Sequence, residues 1–359
     1  MDFDLKKLLR PHIAGLKPYS SARDEYSGKA GVFLDANENP LGSITRENYN
    51  RYPDPYQSLL KEQIAELKKV SADRIFLGNG SDEAIDLLFR AFCRPGIDNV
   101  IIMPPTYGMY EVSAGINDVP VKKVPLSPDF QLEPREVLAA VNADTKMIFI
   151  CSPNNPSGNK MQRASVLSIL RGFSGLVIID EAYIDFSDEP GFVPVLDEFP
   201  NLLVMQTLSK AWGLAALRLG MAFASPEIIA ILNKIKPPYN ISGLTQNTVV
   251  EALVNTKKLQ EMMHEIQVQK ENLRLQLENT AGVEKVYPSQ ANFFLVKIPH
   301  AKAVYQRLIE KKIIVRDRSG VYHCGDCLRI TVGNERENEE FIRTLRAILA
   351  DPNRSGLDH

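Results

Sequence analysis

The sequence predicts an α/β fold, in which a large domain around a mainly parallel central sheet lies between helices and a smaller α+β domain follows it. Two observations carry this. First, short uninterrupted apolar runs recur along the chain: Asn99-Val100-Ile101-Ile102-Met103, Met147-Ile148-Phe149-Ile150-Cys151, Leu176-Val177-Ile178-Ile179-Asp180 and Leu202-Leu203-Val204-Met205. Runs of this length suit strands buried on both faces of a parallel sheet. Second, each gives way to turn-forming or polar residues and then to a helix-like segment, the alternation expected of βαβ units.

The elements follow in order. Residues 1–45 are rich in Pro, Tyr and Asn and read as an arm that contributes to the small domain and the substrate pocket. Helical periodicity over residues 57–67 opens the large domain, placed at 46–240. The pattern breaks at Lys236-Pro237-Pro238-Tyr239-Asn240. The small domain, 241–359, then reads as one long charged helix over about 245–279 and a strand at Asn292-Phe293-Phe294-Leu295-Val296. A helix at 303–311, a strand at Ile313-Ile314-Val315, a strand at Leu328-Arg329-Ile330-Thr331-Val332 and a closing helix complete it.

Composition narrows the function. With 359 residues, 44% apolar and 24% charged, the chain is that of an ordinary globular protein. A net charge of -2 supplies no field to recruit nucleic acid or an anionic membrane. The N-terminus lacks the apolar segment of a signal peptide, and no apolar run is long enough to span a bilayer, so the expected location is the cytoplasm. His323-Cys324-Gly325-Asp326-Cys327 offers half a zinc site with no second pair, so no metal is expected and the two thiols read as part of a turn.

The most informative segment is Thr207-Leu208-Ser209-Lys210-Ala211-Trp212, with Arg218 eight residues after the lysine. A lysine at the end of an apolar strand loses solvation, which disfavours its ammonium form and frees a nucleophilic amine for Schiff-base chemistry. Ser209 and Arg218 are suited to a phosphate. Amine, hydroxyl and guanidinium together point to pyridoxal 5'-phosphate, an aldehyde that carries a phosphate.

Other segments add partners. Asp180 ends a strand and could keep the cofactor's pyridine nitrogen protonated, or simply cap the next helix. Tyr183 and Asn155, the latter in Asn154-Asn155-Pro156-Ser157-Gly158, could bond the phenolic oxygen; Asn155 could equally be a turn residue. Gly80, Ser81 and Asp82 stand where a glycine-rich loop enters a helix, a place for a phosphate or for a plain cap. Tyr107 could stack on the ring.

In this order, the segments resemble the fold type I pyridoxal-phosphate-dependent aminotransferases, and among them the histidinol-phosphate aminotransferase family. The likeness runs from about Asn37 to Asn334 and includes Asn37-Glu38-Asn39-Pro40, Arg51-Tyr52-Pro53-Asp54-Pro55, Gly78-Asn79-Gly80-Ser81-Asp82-Glu83, Asp180-Glu181-Ala182-Tyr183 and Leu208-Ser209-Lys210. The resemblance implies that Lys210 carries the Schiff base, Asp180 pairs with the pyridine nitrogen, and Asn155 and Tyr183 contact the phenolic oxygen. It implies that Gly80, Ser81, Asp82, Ser209 and Arg218 hold the phosphate and that Tyr107 stacks on the ring. It also implies a homodimer in which Tyr52 reaches the partner's active site. Trp212 and Ala216 stand where the family pattern has Phe and Gly, so slight repacking is expected there.

For the substrate, the resemblance assigns Arg316 and Arg329 to the phosphate of histidinol phosphate and, in the other half-reaction, to glutamate, with Tyr19 and Asn37 closing the pocket. Arg316, followed by Asp317 and Arg318, could instead be a surface charge. The implied reaction is ping-pong transamination of L-histidinol phosphate with 2-oxoglutarate through pyridoxamine phosphate, giving imidazole acetol phosphate and glutamate, a step of histidine biosynthesis. Alternatives are an aromatic amino-acid aminotransferase, a threonine-phosphate decarboxylase, or a non-catalytic regulator, for which no DNA-binding segment is present.

Overall fold

The computed structural model describes residues 3–18 and 31–351. Among them, the four apolar runs and three further segments form a seven-stranded sheet: β1 (Ile75–Asn79), β2 (Asn99–Ile102), β3 (Val121–Lys123), β4 (Thr145–Cys151), β5 (Leu176–Asp180), β6 (Leu202–Thr207) and β7 (Leu219–Phe223), in the order β1-β7-β6-β5-β4-β2-β3. The pairs from β3 to β6 are parallel, while β7 runs antiparallel to both β6 and β1. Apolar side chains fill both faces. Ile101, Ile148, Ile150, Val177 and Val204 belong to one core cluster; Val100, Phe149, Ile178 and Met205 belong to the other.

This topology puts the chemistry-bearing segments along one edge. β1 is antiparallel to β7, which is antiparallel to β6, so the carboxyl ends of β1, β2, β4, β5 and β6 share an edge with the start of β7. In register, Cys151 lies beside Asp180, Asp180 beside Met205, Thr207 beside Gly220 and Gly78 beside Gly220. Open α/β sheets bind ligands beyond such an edge.

The second sheet is antiparallel: β8 (Lys285–Val286), β9 (Phe293–Lys297), β10 (Arg316–Asp317) and β11 (Cys327–Thr331), in the order β10-β11-β9-β8. Helices Thr256–Glu278, Ala301–Glu310 and Glu335–Ala350 cover it around Leu273, Val304, Leu328 and Leu345. Asn334 starts the last helix with a full capping box against Glu337.

Two expectations are corrected. The helical stretch at 245–279 is two helices, Gly243–Leu253 and Thr256–Glu278. Asn255 interrupts it: its side-chain amide donates to the Glu251 carbonyl at 3.0 Å, which satisfies a terminal acceptor before the second helix starts. Ile313-Ile314-Val315 is not a strand; the ladder begins only at Arg316. Lys312 takes a left-handed conformation (φ 62) and the Ile313 N–H returns to the Leu308 carbonyl, so the chain is still leaving a helix there.

The first of these helices, Gly243–Leu253, packs on Ser58–Lys68 through Val249, Leu253, Leu60 and Ile64, so the large-domain core continues beyond residue 240. Residues 3–18 lie on the same domain. Phe3, Leu5, Leu8 and Leu9 pack against the cluster of Phe76 and Leu88, and the Arg10 N–H donates to the Ala91 carbonyl at 3.0 Å. Among the described residues no helix is long and apolar enough to cross a membrane.

Candidate active site

Gly80, Ser81, Asp82, Tyr107, Asn155, Asp180, Tyr183, Ser209, Lys210 and Arg218 line one cavity at the shared strand edge. Ten sequence-chosen residues from five segments at the ends of β1, β2, β4, β5 and β6 thus meet in one place. Cys151, Ala182 and Thr207, which sequence reasoning passed over, complete the wall.

Asp180 ends β5 and is almost fully buried. It accepts a hydrogen bond from the Tyr110 hydroxyl at 2.7 Å and one from the Ala182 N–H at 3.0 Å. Burial pushes its carboxyl above the ordinary range, and these two donors oppose the push. Tyr110 is itself fully buried and stacked on Phe149, so the carboxylate is held rigidly. Such a site fits a cationic partner such as a protonated pyridine ring, which would restore the charge that burial disfavours.

Lys210 follows β6 with its amine 5.6 Å from the centre of the Tyr183 ring. Its side chain is open to the cavity and so carries considerable accessible surface, yet the atoms packed around it still withdraw solvation. Burial first, and then the Arg329 charge, lower the amine's pKa. The direction is the one a nucleophilic amine needs.

The phosphate end is shaped by close packing. Gly80 caps the helix Ser81–Phe92 with φ 75 and no side-chain cap bond, so Ser81 is a first-turn residue and not the cap. The Gly80 N–H is already donated to the Arg218 carbonyl, so Gly80 contributes shape and leaves the first-turn N–H groups as donors. A Cβ on Gly220 would meet the Ser81 nitrogen, and a Cβ on Gly80 would meet the Arg218 guanidinium. Thr207 bonds the Ser209 hydroxyl at 3.0 Å, and Arg218 reaches Asp82 at 3.5 Å. Tyr107 donates to Asp82 at 3.2 Å and sets its edge on Tyr110. Amine, buried carboxyl and a donor-lined loop therefore fit the three ends of pyridoxal phosphate.

A second cavity opens from the first and shares Tyr107, Asn155, Tyr183 and Lys210 with it. Its far wall carries Arg316 and Arg329, together with Arg318 and Tyr322, which sequence reasoning did not choose. Arg329 donates to the Asn155 side-chain oxygen at 2.6 Å, so the donor left on that amide is its NH2 group. Tyr183 is edge-on to Phe293 with ring centres 5.1 Å apart, and burial pushes its hydroxyl pKa up.

Not every candidate gathers here. Asn37 and Tyr52 line a separate groove with Tyr239 and Gly243, where Tyr52 stacks on Tyr239 at 4.5 Å. Neither lines the cavity of Lys210 within one chain. Tyr19 lies outside the described residues. Trp212 is accommodated in the core and Ala216 is exposed. Cys324 and Cys327 are free, buried thiols in the same core, and no metal-binding group of side chains occurs among the described residues.

Glu181 is fully buried beside the site and accepts from the Phe192 N–H at 2.6 Å and from Gln206 at 2.9 Å. Burial raises its pKa from 4.5 to about 7. The folded state thus favours the neutral acid, so its contribution to stability is fully present below pH 4.5 and is lost as pH rises to about 7. The loss is about 3 kcal/mol at 1.36 kcal/mol per pKa unit. The Gln206 side-chain oxygen is buried with no partner, so a flipped Gln206 amide can accept from a glutamine at 181. Glu181→Gln is therefore expected to gain stability over the parent as pH rises. Urea midpoints of both proteins at pH 5 and pH 8 test this; an equal difference at the two pH values would contradict it.

The profile of the aminotransferase class I and II family matches residues 30–345. A histidinol-phosphate aminotransferase of Cytophaga hutchinsonii is 56% identical over 346 residues, covering 96% of this chain and 99% of that protein. One from Parabacteroides distasonis is 53% identical over 343 residues, covering 96% and 98%. The crystal structure of histidinol-phosphate aminotransferase from Sinorhizobium meliloti in complex with pyridoxal-5'-phosphate superposes with a TM-score of 0.78 at 22% identity, over 88% of this chain and 89% of that one, a likeness of fold.

Proposed function

Because the chain belongs to the histidinol-phosphate aminotransferases within the class I and II aminotransferase family, we propose that it transfers the amino group of L-histidinol phosphate to 2-oxoglutarate with pyridoxal phosphate as cofactor. The observation that carries this is the junction of two cavities at Lys210: one with a buried carboxyl and a donor-lined loop, the other walled by arginines.

Pyridoxal phosphate, when bound, supplies an aldehyde to take up the substrate amine and a ring to accept the electrons released at the α-carbon. The protein supplies the rest. Lys210 Nζ, whose pKa burial and then the Arg329 charge lower, removes the α-proton and, as the ammonium, returns it. Asp180 holds negative charge at the cavity floor, fixed by Tyr110 and Ala182. The NH2 group of Asn155 and the Tyr183 hydroxyl offer donors beside Lys210. Arg316 and Arg329 hold the substrate's anionic end, and the bond from Arg329 to Asn155 ties that anchor to the reacting end of the site.

The active unit in this reading is a homodimer in the cytoplasm. Val32, Leu34, Leu41 and Ile44 are strongly exposed, Leu41 at 94%, which is the character of an interface. Two copies that pair through this face would bring Tyr52 and Asn37 of one protomer toward the cavity of its partner.

Mixing the pyridoxal-phosphate-loaded protein with one amino donor at a time, without keto acid, tests the substrate. Rapid change of the cofactor's absorbance with histidinol phosphate, and not with phenylalanine or threonine phosphate, is expected. Preference for phenylalanine would make it an aromatic aminotransferase, and CO₂ release from threonine phosphate would make it a decarboxylase.

A further inference from the structure

We propose that Arg318 is a third anion ligand of the substrate cavity and makes that cavity select a phosphate ester over a carboxylate. The proposal rests on the reading of histidinol phosphate as substrate and names the residue that would enforce it.

The ladder between the two small strands fixes the geometry. Arg316 is the register partner of Arg329 and Asp317 that of Leu328; one step on, the Arg318 N–H donates to the Cys327 carbonyl at 2.9 Å. The pairing therefore continues through Arg318. Side chains alternate along a strand and register partners share a face, so Arg316, Arg318 and Arg329 project together. All three line the cavity that holds Lys210, Asn155 and Tyr183. Asp317, on the opposite face, accepts from the Ser319 N–H at 2.9 Å.

No carboxylate among the described residues neutralises this face. Among the described residues none of the three guanidiniums has an ion pair with a carboxylate. The carboxylate on the cavity wall, Glu111, is held by Lys123 at 2.6 Å. The Nε atoms of Arg318 and of Arg329 are buried with no hydrogen-bond partner. Burial and the neighbouring Arg316 charge both lower the pKa of Arg318, the mark of a cation set among cations. Buried donors left unpaired are costly. An arriving anion removes that cost, and three forks match the three terminal oxygens of a phosphate dianion better than the two oxygens of a carboxylate.

The test compares two substrates on the pyridoxal-phosphate-loaded enzyme. Arg318→Gln should raise KM for histidinol phosphate about 10- to 100-fold, the loss expected for a charged hydrogen bond. KM for glutamate should rise no more than about fivefold, the range of a solvent-screened pair. Arg318→Lys, which keeps the charge and loses the fork, should recover part of the difference. Inorganic phosphate, titrated calorimetrically into the loaded enzyme, should bind Arg318→Gln more weakly by the same factor. Equal changes in the two KM values, or none in either, would overturn the proposal. Should the parent enzyme fail to use histidinol phosphate, the proposed function falls, and the phosphate titration decides Arg318 by itself: unchanged phosphate binding overturns it, weakened binding supports it.

Discussion

Replacing Lys210 with alanine is expected to lower kcat by about 10⁴-fold or more, because one amine serves as both proton acceptor and proton donor. Among the described residues no other lysine is placed to substitute: Lys210 is the lysine lining the inner cavity, and the outer cavity's second lysine, Lys123, is engaged by Glu111. The loss should appear in kcat with every amino donor, since the amine acts after binding. The comparison is single-turnover rates of parent and Lys210→Ala proteins, each loaded with pyridoxal phosphate. A variant within about tenfold of the parent would remove Lys210 from the mechanism.

Asp180→Asn separates charge from shape. Asparagine keeps an acceptor for Tyr110 or Ala182 and nearly the same volume, but removes the anion that the cavity floor would set against a protonated ring. Loss of one preorganised electrostatic partner typically costs about 10²- to 10³-fold, and kcat/KM should fall by that order. Stability without cofactor should move the other way. Burial disfavours the Asp180 charge, so the variant should melt no lower than the parent at neutral pH. Thermal melts of both cofactor-free proteins, set beside kcat/KM, check the pair of outcomes. A large drop in melting temperature with little change in kcat/KM would make Asp180 a structural residue.

The inner cavity was legible in the sequence because each of its residues follows a strand that declares itself by an apolar run, and a parallel sheet brings the ends of such strands together. What escaped depended on pairing. β7, Leu219–Phe223, carries Gly220 against the phosphate loop, but its antiparallel insertion between β1 and β6 has no local signature. Tyr110 reads as a core aromatic, and only the fold turns its hydroxyl to Asp180. Arg318 looks like one charge in an exposed Arg-Asp-Arg cluster until the register with β11 puts it on the same face as Arg316 and Arg329. The helix break escaped because no Gly or Pro marks it, only Asn255, although charged residues become frequent just after it. Asn37 and Tyr52 were chosen by resemblance alone, and within one chain they stand in another groove.

The central claim is that Lys210 holds the cofactor at the meeting of the two cavities. Borohydride reduction of the pyridoxal-phosphate-loaded protein, followed by proteolysis and mass spectrometry, tests it most directly. The account predicts the cofactor's mass fixed on the peptide that contains Ser209-Lys210-Ala211, and its loss from that peptide when histidinol phosphate is added before reduction. Cofactor fixed to a different lysine, or label on Lys210 that histidinol phosphate does not discharge, would contradict it.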